Sequence, residues 1–193
     1  MACYACRVSA VAPDSRYRWS RARYQRLVEA GVLTTRDRVE LVRGDIVEMS
    51  PKGVGHAVAT NLAAEALRTV FGPGITVSVQ NPLALGTHDE PEPDVAVVRG
   101  AARDYRTGHP ATAALVVEVS DSSLEYDRTV KAVLYARAAI PEYWIVNLVD
   151  GRLEVHRTPG PDGYASIERL DATRSVSPLA APGATLPVAD LLP

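Results

Sequence analysis

Hydrophobic and polar residues repeat along this chain with two different periods, which mark out its elements. A period near 3.6 predicts amphipathic helices over about residues 21–30 and 54–71. The second helix has the clearer apolar stripe, and Gly72-Pro73-Gly74 ends it. Alternation with a period of two, or short apolar runs between turn residues, predicts strands at about 38–42, 45–49, 75–79, 94–98, 114–119, 143–149, 152–157 and 164–170.

A third helix is predicted between the strands at 114–119 and 143–149. Ser122 and Glu125 have the spacing of a capping box, S-x-x-E, and the helix is expected to run to about residue 138. On it Lys131 and Tyr135, four residues apart, flank the apolar side together. Helices placed among strands in this way predict an α/β fold, with a mixed central β-sheet flanked by α-helices.

The composition predicts a single domain. We expect residues 1–19 to form a flexible N-terminal tail and residues 20–193 to form one domain, whose Pro- and Ala-rich C-terminal end packs last, if at all. No run approaches the roughly eighteen apolar residues of a membrane helix, so no membrane association is expected. Cys3 and Cys6 lie in the predicted tail without other metal ligands, which favours no role for them and a reducing, cytoplasmic location.

Charge is distributed unevenly along the chain. The net charge is -2, but residues 1–44 hold nine arginines against four acidic residues, a local net charge of +5. A basic surface of this kind can face phosphates, because phosphate neutralisation supplies most sequence-independent affinity for nucleic acids. The same residues are equally consistent with a solvated helix face.

Two acidic residues fall on predicted strands. The period of two places Asp94 on one face of its strand with Ala96 and Val98, and Glu118 on one face of its own strand with Val116. If the strands are neighbours, both carboxylates can face one cleft. Pro-Asp also commonly marks a turn or the start of a strand. Glu118 lies in an otherwise apolar strand and needs a metal or a cation as partner, because an unpaired buried carboxylate is costly.

Lys131 is one of two lysines in a chain whose other nineteen basic residues are arginine. A lysine retained against that bias favours a role for a compact ammonium, although a solvated surface lysine is the simpler interpretation. Two carboxylates and an amine are the groups that metal-dependent phosphodiester hydrolysis requires. The carboxylates hold Mg²⁺ and the ammonium stabilises negative charge in the transition state.

Several short segments resemble a known family when they are taken in order. They are residues 38–51 (RVELVRGDIVEMSP), Gly55-His56, Gln80-Asn81-Pro82, Glu92-Pro93-Asp94-Val95, Val117-Glu118-Val119-Ser120 and Pro141-Glu142-Tyr143-Trp144. In this order and spacing, over roughly residues 20–175, the chain resembles the PD-(D/E)XK nuclease superfamily, and more closely its Uma-type restriction endonuclease family. The resemblance implies a restriction-endonuclease-like fold and a metal-dependent endonuclease that acts on DNA.

The resemblance also implies roles for individual residues. Asp94 and Glu118 would be the ligands of Mg²⁺, or of Mn²⁺, with the carbonyl of Val119 as an additional oxygen. The chain departs from the superfamily at Ser120, where the usual motif has its lysine. The Uma-type pattern resembles a migrated version in which a helix lysine, here Lys131, returns the amine to the pocket. The resemblance further implies a homodimer.

Four further residues are candidates for the pocket, and each also has a structural interpretation. Glu40 is placed there as a fourth catalytic residue by the resemblance, although a structural salt bridge explains it equally well. His56 can contact a phosphate or a water, or can make an ordinary hydrogen bond at a helix end. Gln80 can contact a metal-bound water or can face solvent. Tyr135 is included because it lies beside Lys131 on the helix.

Two other hypotheses stay open at this stage. One is a nuclease-like protein that has lost turnover and binds nucleic acid or a protein, which Ser120 and the acidic bulk of the chain favour. The other is a buried ion pair between Glu118 and Lys131 with a purely structural role.

Overall fold

The computed structural model of this protein describes residues 16–193. Cys3, Cys6 and most of the predicted tail lie outside these residues. The last part of that tail contacts the rest of the chain, since the backbone N–H of Trp19 donates to the carbonyl of Gly44 at 2.7 Å. The division into a tail and one domain starting at residue 20 stays a prediction.

The centre of the fold is a six-stranded mixed sheet with the order β3-β4-β5-β6-β7-β8. Its strands are β3 (Ile75–Val79), β4 (Val95–Arg99), β5 (Leu115–Ser120), β6 (Glu142–Asn147), β7 (Arg152–Gly160) and β8 (Gly163–Asp171). Strands β5 and β6 are parallel, and the other neighbouring pairs are antiparallel. The predicted α/β fold with a mixed central sheet is therefore confirmed.

Helices cover both faces of this sheet. Helix α2 (Val54–Val70) packs its buried alanines and Leu67 on one face, against alternate apolar residues of the central strands. The other face is covered by three consecutive segments: α3 (Leu124–Tyr126), a π-helical turn (Asp127–Lys131) and α4 (Ala132–Arg137). We call residues 124–137 the interrupted helix. It connects the only parallel strand pair of the described sheet, as a crossover helix does.

The start of the interrupted helix differs from the prediction. Its N-cap is Ser123, which makes no capping hydrogen bond, so the capping box expected of Ser122 and Glu125 is wrong. The hydroxyls of Ser120 and Ser123 instead donate to the carboxylate of Asp127, at 2.7 and 2.6 Å. Side-chain contacts thus replace capping at this end, and the helix continues through a π turn rather than as a regular α-helix.

A separate hairpin and the C-terminal segment complete the fold. Helix α1 (Arg21–Glu29) leads to β1 (Val39–Val42) and β2 (Asp45–Glu48), joined by a two-residue turn with φ of 51° at Arg43 and 77° at Gly44. Positive φ at both positions is the turn geometry that suits a hairpin.

The C-terminal end is part of the core, contrary to the expectation that it packs last, if at all. Two short strands pair there, β9 (Ser175–Val176) and β10 (Leu186–Pro187). Val188 and Leu191 follow them and are fully buried in the cluster that includes α2. Within residues 16–193, no helix has the length and apolar character needed to cross a membrane.

Candidate active site

Asp94 and Glu118 meet where β4 begins and β5 ends. The two strands are antiparallel with Val95 opposite Val117, so the acidic residues next to this pair lie side by side. The backbone N–H of Asp94 donates to Glu118 Oε2 at 3.1 Å, and the N–H of Val119 donates to Asp94 Oδ2 at 2.9 Å. Each carboxylate is therefore fixed by the backbone of the other strand. The structure places both on one cleft, about 5% exposed.

Lys131 reaches the same cleft from the π turn of the interrupted helix. Its Nζ lies 2.6 Å from Glu40 Oε2 and 3.3 Å from Glu118 Oε1, and the side chain is buried. Burial by itself disfavours the ammonium, but the carboxylates of Glu118 and Glu40 outweigh burial and raise the pKa of Lys131 above its ordinary value. Lys131 is thus a fixed positive charge.

Glu118 is surrounded by more negative than positive charge. Burial and, to a smaller extent, the nearby carboxylates raise the pKa of Glu118 to about 8, against the opposing effect of Lys131. Those carboxylates belong to Asp94, Asp127 and Glu40. The hydroxyl of Tyr135 also donates to Glu118 Oε1 at 2.7 Å. The shift means that one lysine does not balance the acidic groups gathered here.

Asp94 lies among four donors. His56 Nε2 is 3.1 Å from Asp94 Oδ2, while Lys52 Nζ and Gln80 Nε2 are 3.5 and 3.4 Å from Oδ1. Burial alone would raise the pKa of Asp94, but the contacts with His56, Val119 and Lys52 outweigh burial and lower it. His56 comes from the first turn of α2, and Gln80 follows β3 with a positive φ of 51°.

The structure thus brings together all the residues predicted for the site, and it adds others. Lys52 lies in the loop between β2 and α2, so both lysines of the chain reach the cleft. The scarcity of lysine was a signal that could have identified Lys52 as well as Lys131. Asp127, only 4% exposed, also lines the cleft. Burial raises the pKa of Asp127 in spite of its two serine donors.

Within residues 16–44, several arginines of the basic N-terminal part make contacts inside the protein. Arg21 Nη1 donates to the carbonyl of Gly86 at 2.7 Å, and Arg43 Nη2 contacts the carbonyl of Val130 at 3.4 Å. Arg38 contacts the carbonyl of Ser50, in the wall of the cleft, at 3.2 Å. These arginines hold the hairpin and its neighbouring loops in place around the site.

The cleft has a volume of about 330 Å³ and an acidic wall. Its buried acidic groups are Glu40, Asp94, Glu118 and Asp127. Within the described residues no group of three or more His, Cys, Asp or Glu side chains is already arranged around a metal position. Two carboxylates nevertheless suit Mg²⁺, which keeps several waters and binds through one or two protein carboxylates. Excess negative charge in the cleft also favours a divalent cation, so the residues present fit one.

The sheet and this cleft define an α/β protein of the restriction-endonuclease-like class. A solved structure with a similar fold is that of a "putative nuclease belonging to DUF820" from Anabaena variabilis ATCC 29413. It matches with a TM-score of 0.66 and 16% identity, over 84% of this chain and 94% of that one. A search of curated proteins found no match.

Family membership follows from a second comparison. The profile of the Uma2 family, described as "Putative restriction endonuclease", matches residues 21–189. The match covers most of the chain, so the chain belongs to the Uma2 family. The resemblance seen in the sequence is therefore confirmed, and family membership supports a nuclease.

Proposed function

We propose that this protein is an endonuclease that hydrolyses the phosphodiester bonds of DNA with the help of Mg²⁺, which Mn²⁺ can replace. One observation carries the proposal. Asp94, Glu118 and Lys131 come from three different segments of the chain, and their buried side chains line one cleft. Family membership supports the nuclease class, and the chemistry of the cleft supports the dependence on a cation.

Asp94 and Glu118 are the residues that would hold the cation, with the carbonyl oxygen of Val119 as a further ligand. Val119 lines the cleft beside both carboxylates. When bound, Mg²⁺ or Mn²⁺ supplies positive charge to the non-bridging oxygens of a phosphate and makes a bound water more acidic. The donors that now contact the two carboxylates, such as Lys52 at 3.5 Å from Asp94, would then be available to the substrate.

Lys131 stabilises negative charge in this mechanism. Glu40 and Glu118 hold its ammonium at 2.6 and 3.3 Å and keep it protonated, so it does not accept a proton from water. An ammonium fixed beside the carboxylates can donate a hydrogen bond to a phosphate oxygen as that oxygen gains charge in the transition state. Lys131 would in this way supply the amine that the superfamily motif places at the position of Ser120.

The remaining candidates position these groups. Glu40 holds Lys131, and Tyr135 holds Glu118 by donating to Oε1 at 2.7 Å. His56 holds Asp94 Oδ2 at 3.1 Å. Gln80 contacts Asp94 more weakly, at 3.4 Å, and its amide can turn toward a water in the cleft. Each of these contacts fixes a carboxylate or the ammonium before substrate arrives. Charges fixed in advance stabilise the transition state without having to reorganise during the reaction.

A cleavage assay on matched variants tests the proposal. Supercoiled and single-stranded DNA are incubated with Mg²⁺ or Mn²⁺ and the wild type, D94N, E118Q or K131M. We expect cleavage by the wild type, no cleavage with EDTA, and a fall on the order of 10²–10³ in each variant. E65Q, which changes an exposed glutamate of α2, is the control and should cut normally. The same set with RNA determines the substrate class.

Calorimetry with Mn²⁺ separates the roles. Wild type and K131M should bind the cation, whereas D94N and E118Q should lose at least about tenfold in affinity, since each loses a charged ligand. A wild type that neither binds Mn²⁺ nor cuts any DNA would contradict the proposal.

The second candidate function is binding of nucleic acid or a protein without turnover. It is favoured by the contacts of the carboxylates, since every oxygen of Asp94 and Glu118 already meets a protein donor. Gel-shift measurements distinguish the two functions. DNA binding that is independent of cations, without cleavage, favours this candidate.

Two further expectations rest on the family resemblance and on cysteine usage. The resemblance implies a homodimer, and the cysteine content is typical of a cytoplasmic protein. Light scattering of the purified protein measures the mass in solution and tests the first. Localisation of a tagged full-length chain tests the second.

A further inference from the structure

Asp127 is a buried carboxylate that none of the roles above uses. It is the first residue of the π turn, it is 4% exposed and it lines the same cleft as Asp94 and Glu118. Its Oδ2 accepts hydrogen bonds from Ser120 at 2.7 Å and Ser123 at 2.6 Å. Within residues 16–193 it forms no ion pair, and Oδ1 accepts no hydrogen bond. One oxygen is thus fixed by two hydroxyls and the other is left for a ligand.

The position of Asp127 in the site is defined by its contact with Ser120 and by its place on the same π turn as Lys131. Ser120, two residues after Glu118, occupies the place where the superfamily motif has a lysine. Here a hydroxyl at that place binds a carboxylate, while the ammonium of Lys131 comes from the other end of the π turn. Asp127 and Lys131 are four residues apart and both are buried in the cleft wall. π-helical turns occur frequently at functional sites.

The proposed reaction lacks a group that accepts the proton of the attacking water. Lys131 is held as a cation between two carboxylates. Asp94 and Glu118 are committed to the divalent cation. Asp127 is a carboxylate of the cleft with one oxygen that accepts no hydrogen bond, and among the described residues no cation lies within ion-pair distance of it, although Lys131 attracts it from farther away. It therefore has the chemistry of the missing acceptor.

We propose that Asp127 is a catalytic residue whose Oδ1 binds the attacking water and takes its proton. The inference rests on the proposed nuclease function. As the water oxygen bonds to phosphorus, one of its protons moves to Asp127. The bond from phosphorus to the leaving nucleotide oxygen breaks, and that oxygen keeps the electron pair and takes a proton from solvent. The hydroxyls of Ser120 and Ser123 keep Oδ1 turned to the cleft.

D127N is the decisive variant, because it keeps the size of the side chain and an oxygen for the two serines. We expect kcat to fall by about 10²–10⁴-fold, the range of general-base contributions. The affinity for Mn²⁺ and the KM for DNA should change by less than about threefold, and the melting temperature should stay or rise, because a buried charge without an ion-pair partner among the described residues is removed. E125Q is the control. It removes an exposed charge two residues earlier and should cut like the wild type.

A second variant covers the case in which D127N fails to fold. S123A removes one of the two hydroxyl donors and keeps the carboxylate, so kcat should fall severalfold with unchanged affinity for Mn²⁺. Cleavage by D127N or by folded S123A at the wild-type rate would overturn the assignment and leave the nuclease function standing. A fall in Mn²⁺ affinity as large as the fall in rate would also overturn it, since Asp127 would then be a cation ligand. A wild type that cuts no DNA overturns both.

Discussion

Lys131 and Glu40 are 91 residues apart in the sequence, and Lys131 Nζ lies 2.6 Å from Glu40 Oε2. The same oxygen accepts the backbone N–H of Glu92 at 3.0 Å, two residues before Asp94. Glu40 thus connects the hairpin, the interrupted helix and the segment that leads into β4. The position of the ammonium depends on all three, so the geometry of the site depends on the hairpin docking against the sheet.

The first prediction concerns Glu40. E40Q keeps an oxygen for the N–H of Glu92 but removes one of the two charges that hold Lys131. We expect a loss of about 1–3 kcal/mol in the free energy of unfolding, because a buried ammonium is left with less compensation. Cleavage should fall at least about tenfold, since a charge placed for the transition state becomes less well fixed. Urea unfolding and plasmid nicking measure the two effects.

The control for Glu40 is E168Q, which changes an exposed glutamate of β8. It should alter neither quantity. If E40Q matches the wild type in both, Glu40 does not position Lys131.

The second prediction concerns Lys52. Its Nζ is 3.5 Å from Asp94 Oδ1 and its side chain is 25% exposed, in the loop that precedes α2. K52A should change the free energy of unfolding by less than about 1 kcal/mol, because the ion pair is long and its lysine is partly exposed to solvent. It should raise the KM for DNA several-fold, since a cation near the cleft is lost, and tighten the binding of Mn²⁺, since a competitor for Asp94 is lost. R106A, at an exposed loop arginine, is the control.

Calorimetry and steady-state kinetics check this pair of opposite changes. If K52A weakens the binding of Mn²⁺, Lys52 supports the cation site and does not compete with it.

Much of the sheet was predictable because strand patterns are local. The period-two alternation in residues 94–98 and 114–119 predicts the strand faces on which Asp94 and Glu118 lie. The antiparallel register, which the alternation does not predict, places the two carboxylates together. The contact of Lys131 with the site was implied only by the family resemblance. Its contact with Glu40 is tertiary, and no period in either segment indicates it.

Three features were not predictable from local patterns. Lys52 lies in a loop without periodicity. The apparent capping box predicted a regular helix, whereas the binding of Ser120 to Asp127, seven residues later, decides how that segment begins. The Pro-rich C-terminal end has no amphipathic stripe, and Val188 is buried because it packs in the same core cluster as α2 and the sheet. In each case the deciding contact is between separate elements.

The third prediction compares two tyrosines. The hydroxyl of Tyr126 is buried without a partner among the described residues, whereas that of Tyr164 donates to the carbonyl of Ile140 at 2.9 Å. Y126F should leave the free energy of unfolding unchanged or raise it, because it removes an unsatisfied polar group. Y164F should cost about 1 kcal/mol and leave a carbonyl unpaired. If Y126F destabilises the protein more than Y164F does, the hydroxyl of Tyr126 has a hydrogen-bond partner in solution. Differential scanning calorimetry of the two variants measures the difference in stability.

The last prediction concerns the pH dependence of stability. His156 is 2% exposed, and neither of its ring nitrogens has a hydrogen-bond partner among the described residues. It lies between Tyr143 and Tyr164, with ring centroids 5.4 and 5.9 Å away. Burial and, to a smaller extent, Arg169 and Arg128 together lower the pKa of His156 from 6.5 to about 4, although Glu154 at 3.9 Å opposes the shift.

The lowered pKa of His156 makes the folded state less stable in acid. The folded state favours the neutral imidazole, so the unfolded state binds an extra proton between about pH 6.5 and pH 4. The stabilising effect of the neutral ring is complete above pH 6.5 and is lost as the pH falls through this window. The loss amounts to roughly 3 kcal/mol at most, at about 1.4 kcal/mol per unit. Acidification also protonates carboxylates elsewhere in the protein, so the change in stability is compared between the wild type and a variant without His156.

H156L removes the titrating group at similar volume, and H109L, at an exposed histidine, is the control. Urea unfolding at pH 7.5, 6, 5 and 4.5 gives the free energy of unfolding for each protein. The wild type should lose more stability than H156L between pH 7.5 and 4.5, and H109L should follow the wild type. Parallel curves for wild type and H156L would show that the ring is protonated in the folded state or has a hydrogen-bond partner in solution. Tyr143 also contacts Tyr135, which donates a hydrogen bond to Glu118. Protonation of His156 would therefore perturb residues next to the site as well as the core.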